Sequence, residues 1–185
     1  ELLVDQVTGA ALTPVRQLST NRTTFARMLG QLLYEAPKIF TGLASVRLIE
    51  QKLEDFGVKA CFEHHQSRQK GGKALLSLVD DAISTGTPIN RESVYQIVLT
   101  HCQVHLTTTQ ENSLLRKHQR KCSSEAAYRR ATIMLVEARD LFTKKGRHST
   151  EWKQQMVVKY QPIVDEYNNP TIVRALIPEP PVVIN

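Results

Sequence analysis

Residues 21–37 have the sequence NRTTFARMLGQLLYEAP, and this stretch sets the pattern for much of the chain. Its apolar side chains recur every three or four residues, as they do along one face of an α-helix. Asn21 is a suitable N-cap, and Pro37 ends the helix because proline disfavours helical backbone in the residue before it. We therefore predict an amphipathic helix whose buried face contains Phe25, Met28, Leu29, Leu32 and Leu33.

Similar patterns recur along the chain and predict further helices. The clearest start signal is Thr108 followed three residues later by Glu111, which is the spacing of a capping box. A long helix is predicted from Ser124, with apolar positions in register over residues 128–142 and Gly146 as its stop. The predicted helix starts are Asn21, Thr41, Lys73, Asn90, Thr108, Ser124 and either Ser149 or Thr150.

Two segments between these helices have a weaker pattern. Residues 58–65 are compatible with a short helix, and residues 66–72 are polar and end in two glycines, which predicts a loop. We find no convincing alternation of apolar and polar residues, the pattern of a strand, outside residues 171–177 and 182–184. These segments add no strand to the predicted core.

The predicted fold class is all-α, a bundle of about seven amphipathic helices with extended termini, in which antiparallel hairpins are able to stack. We predict a single helical domain over residues 1–170 and an extended, proline-containing tail over residues 171–185. The chain is 41% hydrophobic and 23% charged, which excludes a largely disordered protein. No apolar run approaches the ~20 residues that a membrane-spanning helix needs.

Positive charge is concentrated in one part of the chain. The sequence has 24 Lys and Arg against 18 Asp and Glu, a net charge of +6. Residues 116–147 hold ten of the basic residues and three of the acidic ones, so this stretch carries +7 and the remainder −1. Such a concentration favours an anionic partner more strongly than the same charge spread evenly.

The basic stretch supplies the candidate binding residues. On the predicted fifth helix its cations lie opposite an apolar edge formed by Leu114, Leu115 and Cys122. Lys and Arg side chains that neutralise phosphates release counterions, which gives affinity for nucleic acid or another polyanion. The alternative is a solvated helix face that keeps the protein soluble. The predicted nucleic-acid-binding residues are Arg116, Lys117, Arg120, Lys121, Arg129, Arg130, Lys144, Lys145 and Arg147.

Residues 74–99 allow a helix-turn-helix, with Gly86 in the turn. The second helix would present Arg91, Ser93 and Gln96, which are residue types that contact base edges. The turn is longer than this motif usually has, and helical hairpins with a glycine turn are common in α-helical proteins. An ordinary hairpin is therefore the alternative interpretation.

Histidines and cysteines form another candidate cluster. His101 and His105 are four residues apart on the predicted fourth helix, as paired metal ligands are, and Cys61 and His64 would complete a tetrahedral site. The sequence has no CxxC pair, however, and the alternative is that these side chains pack in the core. We predict no metal, no other cofactor and no catalytic residues.

Lys70-Gly71-Gly72-Lys73 superficially resembles part of a phosphate-binding loop. The GxxxxGK[ST] pattern is incomplete, because Gln66 and Ala74 occupy the positions of its first glycine and its hydroxyl residue. The sequence thus predicts a flexible basic loop and not a nucleotide-hydrolysing site.

The function predicted from these patterns is that of a non-enzymatic helical domain in a nucleic-acid-associated assembly. The alternative is a protein–protein interaction or homo-oligomerisation module whose contact surfaces are the apolar tail at residues 171–185 and surplus amphipathic helices. An odd number of cysteines, three, fits a reducing compartment, so we expect an intracellular protein in the nucleus or cytoplasm.

Overall fold

The structure is a computed structural model that describes residues 22–66, 68–119, 124–143 and 149–169. The predicted tail at residues 171–185 lies outside these ranges. Within them the chain forms helices and strands in the following order: α1 (Arg22–Glu35), β1 (Ile39–Ser45), α2 (Val46–Glu54), β2 (Cys61–His64), α3 (Arg68–Thr85), α4 (Arg91–Cys102), β3 (Gln103–Thr107), α5 (Thr109–Gln119), α6 (Ser124–Arg130), β4 (Leu135–Glu137), α7 (Arg139–Thr143) and α8 (Thr150–Asn168).

The predicted all-α fold class is wrong, because the described chain contains a four-stranded mixed sheet in addition to its helices. The strand order is β2-β3-β1-β4, and β1 pairs with β4 in antiparallel orientation. In the register of this pair, Leu43 lies opposite Glu137 and Ser45 opposite Leu135. The sheet is composed of strands of three to seven residues, which are too short to give a long alternating pattern.

The chain forms two compact units. The first comprises Glu1–Ile39 and His64–Val104, and the second comprises Phe40–Glu63 and His105–Asn185. The chain therefore passes from the first unit to the second after Ile39, returns to the first unit at His64, and passes to the second unit again after Val104. The predicted boundary at residue 170 stays a prediction.

The first unit contains the helices α1, α3 and α4, and α1 contacts both of the others. The amphipathic face predicted for α1 is largely buried, although Met28 is 60% exposed. Asn90 caps α4 as predicted, since its side chain accepts a hydrogen bond from the Glu92 amide. The buried core of this unit consists of Phe25, Leu29, Leu33, Ala36, Leu75, Val94, Val98 and Cys102.

Two glycines determine how closely α1 and α3 approach each other. A Cβ atom on Gly72 would overlap the Ala26 carbonyl oxygen and lie 2.9 Å from the Gly30 nitrogen. A Cβ atom on Gly71 would lie 2.5 Å from the Leu33 side chain of α1 and 2.7 Å from the His101 ring of α4. The prediction of a loop over residues 66–72 is therefore wrong: α3 begins at Arg68, and the glycines form a helix–helix contact.

In the second unit the sheet separates two layers. Side chains alternate between the faces of a strand, so Ala44 of β1 faces one layer and Ser45 the other. Helices α2 and α8 cover the first face. Ser149 caps α8, as one of the two predicted alternatives, by accepting a hydrogen bond from the Trp152 amide. The core of this layer consists of Ala44, Val46, Leu48, Ile49, Leu106, Ala138, Leu141, Met156, Tyr160, Val164 and Tyr167.

Helices α5 and α6 cover the opposite face of the sheet. The apolar part of this layer is small and consists of Leu115, Ala127, Tyr128 and Ile133. The remainder of the layer is polar, and it positions the candidate site.

Three predicted helices are different in the structure. Residues 39–45 form β1, so the predicted N-cap Thr41 lies within a strand and Ser45 caps α2 instead. Residues 61–64 form β2, and the predicted fourth helix ends at Cys102, where β3 begins. In each case pairing within the sheet outweighs the helical preference that the local periodicity suggested.

The long helix predicted from Ser124 is also wrong. Helix α6 ends at Arg130, and Thr132 adopts the left-handed conformation with φ +55°. The chain then forms β4 and the short helix α7. The Ala138 amide donates a hydrogen bond to the Gly42 carbonyl oxygen over 2.8 Å, which joins this segment to β1.

Candidate nucleic-acid interface

Helix α5 begins with the predicted capping box. The Glu111 amide donates a hydrogen bond to the Thr108 hydroxyl over 3.1 Å, and the Thr108 amide donates one to the Glu111 carboxylate over 2.9 Å. The two residues thereby satisfy amide groups that have no partner within the helix. This prediction from sequence is confirmed.

The inner face of α5 carries polar side chains that bind the sheet at three points. At its first turn, the Ser45 hydroxyl donates to the Glu111 carboxylate over 2.5 Å. One residue later, the Asn112 amide group donates to the Cys61 sulfur over 2.7 Å. At its last turn, the Gln119 amide group donates to the Glu63 carboxylate over 2.6 Å. These hydrogen bonds fix the rotation of α5 about its axis.

Burial raises the pKa of Glu63 above its ordinary value. The hydrogen bond from Gln119 and the positive charge of Arg116 both act in the opposite direction, and burial outweighs them. Glu63 is 8% exposed, so its ionised form is largely deprived of hydration. A buried carboxyl group therefore lies below the outer surface of α5, within the electrostatic influence of Arg116.

Helix α6 is held against the same face of the sheet by an aromatic contact. The Tyr128 ring packs edge-on against the His105 ring, with 5.7 Å between their centroids. His105 in turn lies 2.7 Å from the Thr41 hydroxyl, measured from its Nδ1 atom. Burial, together with the negative charges of Glu63 and Glu111, raises the pKa of Tyr128, so its hydroxyl stays protonated.

The orientation of these helices places basic side chains on the outside. Arg116 and Lys117 follow Leu115, which is completely buried, and both are exposed. Arg129 and Arg130 follow Tyr128 in the same way and are also exposed. Helices α5 and α6 contact each other. We use the name α5–α6 basic surface for the side chains of Arg116, Lys117, Arg129 and Arg130.

Negative charge on the α5–α6 basic surface is sparse. Of the two acidic residues in these helices, Glu111 is 2% exposed and bound to Ser45, whereas Glu125 is exposed. Glu125 lies 3.5 Å from Arg129, and both side chains are more than 70% exposed. Exposed pairs of this kind contribute at most about 1 kcal/mol, so Arg129 remains able to exchange its partner for a phosphate.

The structure accounts for part of the predicted site. It brings Arg116, Lys117, Arg129 and Arg130 onto two contacting helices. The other predicted binding residues lie outside the described ranges: Arg120, Lys121, Lys144, Lys145 and Arg147. Nucleic-acid binding by any of these residues stays a prediction.

Another basic residue of the same stretch has a structural role. Arg139 begins α7, lies 3.8 Å from Glu137, and donates a hydrogen bond to the Thr41 carbonyl oxygen over 2.7 Å. It also stacks over the Phe40 ring. These interactions join β1 to β4, so the positive charge of residues 116–147 is not all available to a partner.

The predicted helix-turn-helix is a helical hairpin of α3 and α4, which contact each other. Arg91 and Gln96 are exposed and Ser93 is half-buried. The Gln96 side chain donates a hydrogen bond to Glu92 over 2.7 Å. The hairpin is thus confirmed, and binding to base edges stays a prediction.

The histidines and cysteines of the predicted cluster have separate surroundings. Cys61 accepts the hydrogen bond from Asn112. His105 belongs to β3 and not to the helix that carries His101, and it lies beside the Thr41 hydroxyl. His64 lies 3.1 Å from the His101 carbonyl oxygen, measured from its Nδ1 atom. Across the described ranges, no group of three or more His, Cys, Asp or Glu side chains is arranged to hold a metal ion.

The sequence interpretation missed the polar layer under α5 and α6. Its buried polar members include Ser45, Glu63, His105, Thr107, Glu111 and Asn112. The signal was present in Gln103-Val104-His105-Leu106-Thr107, where polar and apolar residues alternate as in a strand. The helical spacing of His101 and His105 obscured that alternation.

Comparison of the chain with protein-family models, with curated proteins and with solved structures gives no match. No helix in the described part of the chain has both the length and the apolar composition that are needed to cross a lipid bilayer.

Proposed function

We propose that this protein binds nucleic acid, either DNA or RNA, and that the α5–α6 basic surface contacts the phosphate groups of the nucleic acid. The observation that carries the proposal is the exposure of Arg116, Lys117, Arg129 and Arg130 on two contacting helices with one exposed carboxylate among them. Arg and Lys are the usual partners of nucleic-acid phosphates. A surface of this kind neutralises the backbone and makes little choice between sequences.

The rigidity of the two helices supports this proposal. Hydrogen bonds that involve Ser45, Asn112 and Gln119 hold α5 to the sheet, and the Tyr128 ring holds α6. Cations on a fixed scaffold lose less conformational freedom on binding than cations on a flexible loop. The backbone positions of Arg116 and Lys117 are therefore fixed relative to the sheet.

The proposal assigns binding and no catalysis to this surface. Three groups beneath it that are able to transfer a proton are buried: Glu63 is 8% exposed, His105 3% and Tyr128 6%. Each of their rings or carboxyl groups packs against other parts of the protein, as described above. An intracellular location, nuclear or cytoplasmic, is part of the same proposal because nucleic acid is found there.

Charge reversal tests the proposal. We expect Arg116→Glu combined with Arg130→Glu to weaken binding to fluorescein-labelled duplex DNA and RNA by at least about tenfold, since each charged hydrogen bond to phosphate is worth about 1 kcal/mol or more. Binding is followed by fluorescence anisotropy at fixed salt, and circular dichroism verifies that the variant is folded.

The matched control is Arg47→Glu combined with Lys59→Glu. Both side chains are exposed in the second unit, and Arg47 lies on α2, which covers the other face of the sheet. The control changes the net charge by the same amount, so it separates a local surface from overall charge. Equal weakening in the two double variants, or no weakening in either, would refute the proposed surface.

Self-association remains the alternative prediction. It uses the apolar tail at residues 171–185, which lies outside the described ranges, or an amphipathic helix face. Light scattering of the full chain against a chain that ends before Thr171 distinguishes the two functions. A dimer that requires the tail, together with the absence of salt-dependent binding to nucleic acid, would replace the proposed function by this alternative.

A further inference from the structure

The first unit contains a cavity of about 360 Å³ along the contact between α1 and α3. Its lining includes Arg22, Thr23 and Arg27 from α1 and Gln69, Lys73 and Leu76 from α3. Pockets that bind small molecules typically have volumes of about 300–1,000 Å³. The cavity is therefore large enough for a small organic ligand.

The charge of this cavity is positive. Among the described residues that line it, three side chains are cations and none is a carboxylate. Arg22 forms an ion pair with Asp80, which holds it at one edge of the cavity. Within the described ranges, Arg27 and Lys73 form no ion pair, so no carboxylate there neutralises their charges.

The glycine contact brings together the backbone segments that carry these two cations. Gly72 packs against the Ala26 carbonyl oxygen, and Arg27 and Lys73 are the next residues on the two helices. Each cation therefore follows directly the point at which the backbones of α1 and α3 meet. Like charges held near such a fixed contact repel each other, and an anion between them would remove that cost.

We propose that this cavity binds a phosphorylated small molecule, with its phosphate group between Arg27 and Lys73. Gln69 and Thr23 supply neutral hydrogen-bonding groups, and Leu76 supplies an apolar wall for the organic part of the ligand. The proposal concerns binding and not hydrolysis. It is independent of the α5–α6 basic surface, because all of its residues belong to the first unit.

Isothermal titration calorimetry of the full chain with ADP, pyrophosphate and adenosine tests this proposal. We expect saturable binding of ADP, weaker binding of pyrophosphate, which has no organic part to pack on Leu76, and no measurable binding of adenosine. Arg27→Gln and Lys73→Gln should each weaken ADP binding at least about tenfold, since each removes a charged hydrogen bond to phosphate. Lys70→Gln is the matched control, because Lys70 is an exposed cation on α3 outside the cavity lining.

Several outcomes would overturn the proposal. They are the absence of saturable ADP binding, equal affinity for adenosine and ADP, pyrophosphate binding as tight as ADP binding, or equal weakening in Lys70→Gln and Lys73→Gln. Arg116→Glu combined with Arg130→Glu should leave ADP binding unchanged, and weaker ADP binding in this variant would assign the phosphate to the α5–α6 basic surface instead. ADP binding that persists when this variant no longer binds nucleic acid would support the cavity and the proposed function separately.

Discussion

The Ser45 hydroxyl donates a hydrogen bond to the Glu111 carboxylate and at the same time accepts one from the Leu48 amide. Ser45 caps α2, and Glu111 forms the capping box of α5 with Thr108. One buried network of hydrogen bonds therefore supplies acceptors for backbone amides at the N-termini of two helices on opposite faces of the sheet. The outward orientation of Arg116 and Lys117 depends on this network because it fixes the start of α5.

Replacement of Glu111 by Ala should destabilise the protein. The substitution removes the acceptor of both the Ser45 hydroxyl and the Thr108 amide, which are buried and would have no other partner. We expect the free energy of unfolding to fall by about 2–4 kcal/mol. Urea denaturation followed by circular dichroism measures this change.

Glu125→Ala is the control for this substitution, because Glu125 is exposed and lies in the neighbouring helix α6. Its effect should stay within about 0.5 kcal/mol. A destabilisation in Glu111→Ala no larger than in this control would show that the hydrogen bonds at Glu111 contribute nothing to the stability of the fold.

The stability of the protein should depend on pH through Glu63. Because burial raises the pKa of Glu63 in the folded state, the folded protein holds this proton more tightly than the unfolded chain does. The free energy of unfolding therefore decreases as the pH rises from 4.5 through the raised pKa, and the cost of an ionised Glu63 persists above it. Glu63→Gln removes that cost and retains an oxygen that accepts the hydrogen bond from Gln119.

Denaturation between pH 4 and pH 8 tests this linkage. The stability of Glu63→Gln relative to the unmodified protein should increase with pH and then level off. Glu125→Gln, at an exposed position, is the control substitution. A constant difference between Glu63→Gln and the unmodified protein at every pH would contradict the raised pKa.

Capping signals in the sequence correctly predicted the starts of three helices. The capping box of Thr108 and Glu111, the Asn90 cap and the Ser149 cap are all present in the structure. Each of these signals depends on a side chain and an amide that are two or three residues apart. No knowledge of the tertiary fold was needed to recognise them.

The strands were missed because their cause is not local. Residues 39–45 form β1 by pairing with residues 135–137, about ninety residues later in the chain. The apolar residues within 128–142 recur at helical spacing, but they do not belong to one helix. Helix α6 ends at Arg130, and Thr132 adopts the left-handed conformation. A single sequence does not reveal such pairings, so the sheet and the polar layer beneath α5 became apparent only in the structure.

Gly72→Ala should strongly destabilise the first unit. The added methyl group would overlap the Ala26 carbonyl oxygen, which is backbone and is not free to rotate away. Helices α1 and α3 would have to separate, at a cost of about 3 kcal/mol or more. Thermal denaturation measures the decrease in stability.

Gly86→Ala is an informative comparison for that substitution. Gly86 has φ +65° and nothing within 4 Å of an added Cβ, so we expect only the cost of backbone strain, about 1 kcal/mol. Equal destabilisation at Gly72 and Gly86 would contradict the close approach of α1 and α3, and with it the placement of Arg27 and Lys73 in the lining of one cavity.

The salt dependence of nucleic-acid binding tests the central proposal most directly. The logarithm of the association constant is plotted against the logarithm of the salt concentration for the unmodified protein and for Arg116→Gln combined with Arg130→Gln. We predict a steep negative slope for the unmodified protein, and a slope that is shallower in the variant by about 0.9 for each phosphate of duplex DNA that the variant no longer neutralises. Identical slopes for the two proteins, or a flat line for the unmodified one, would contradict phosphate binding by the α5–α6 basic surface.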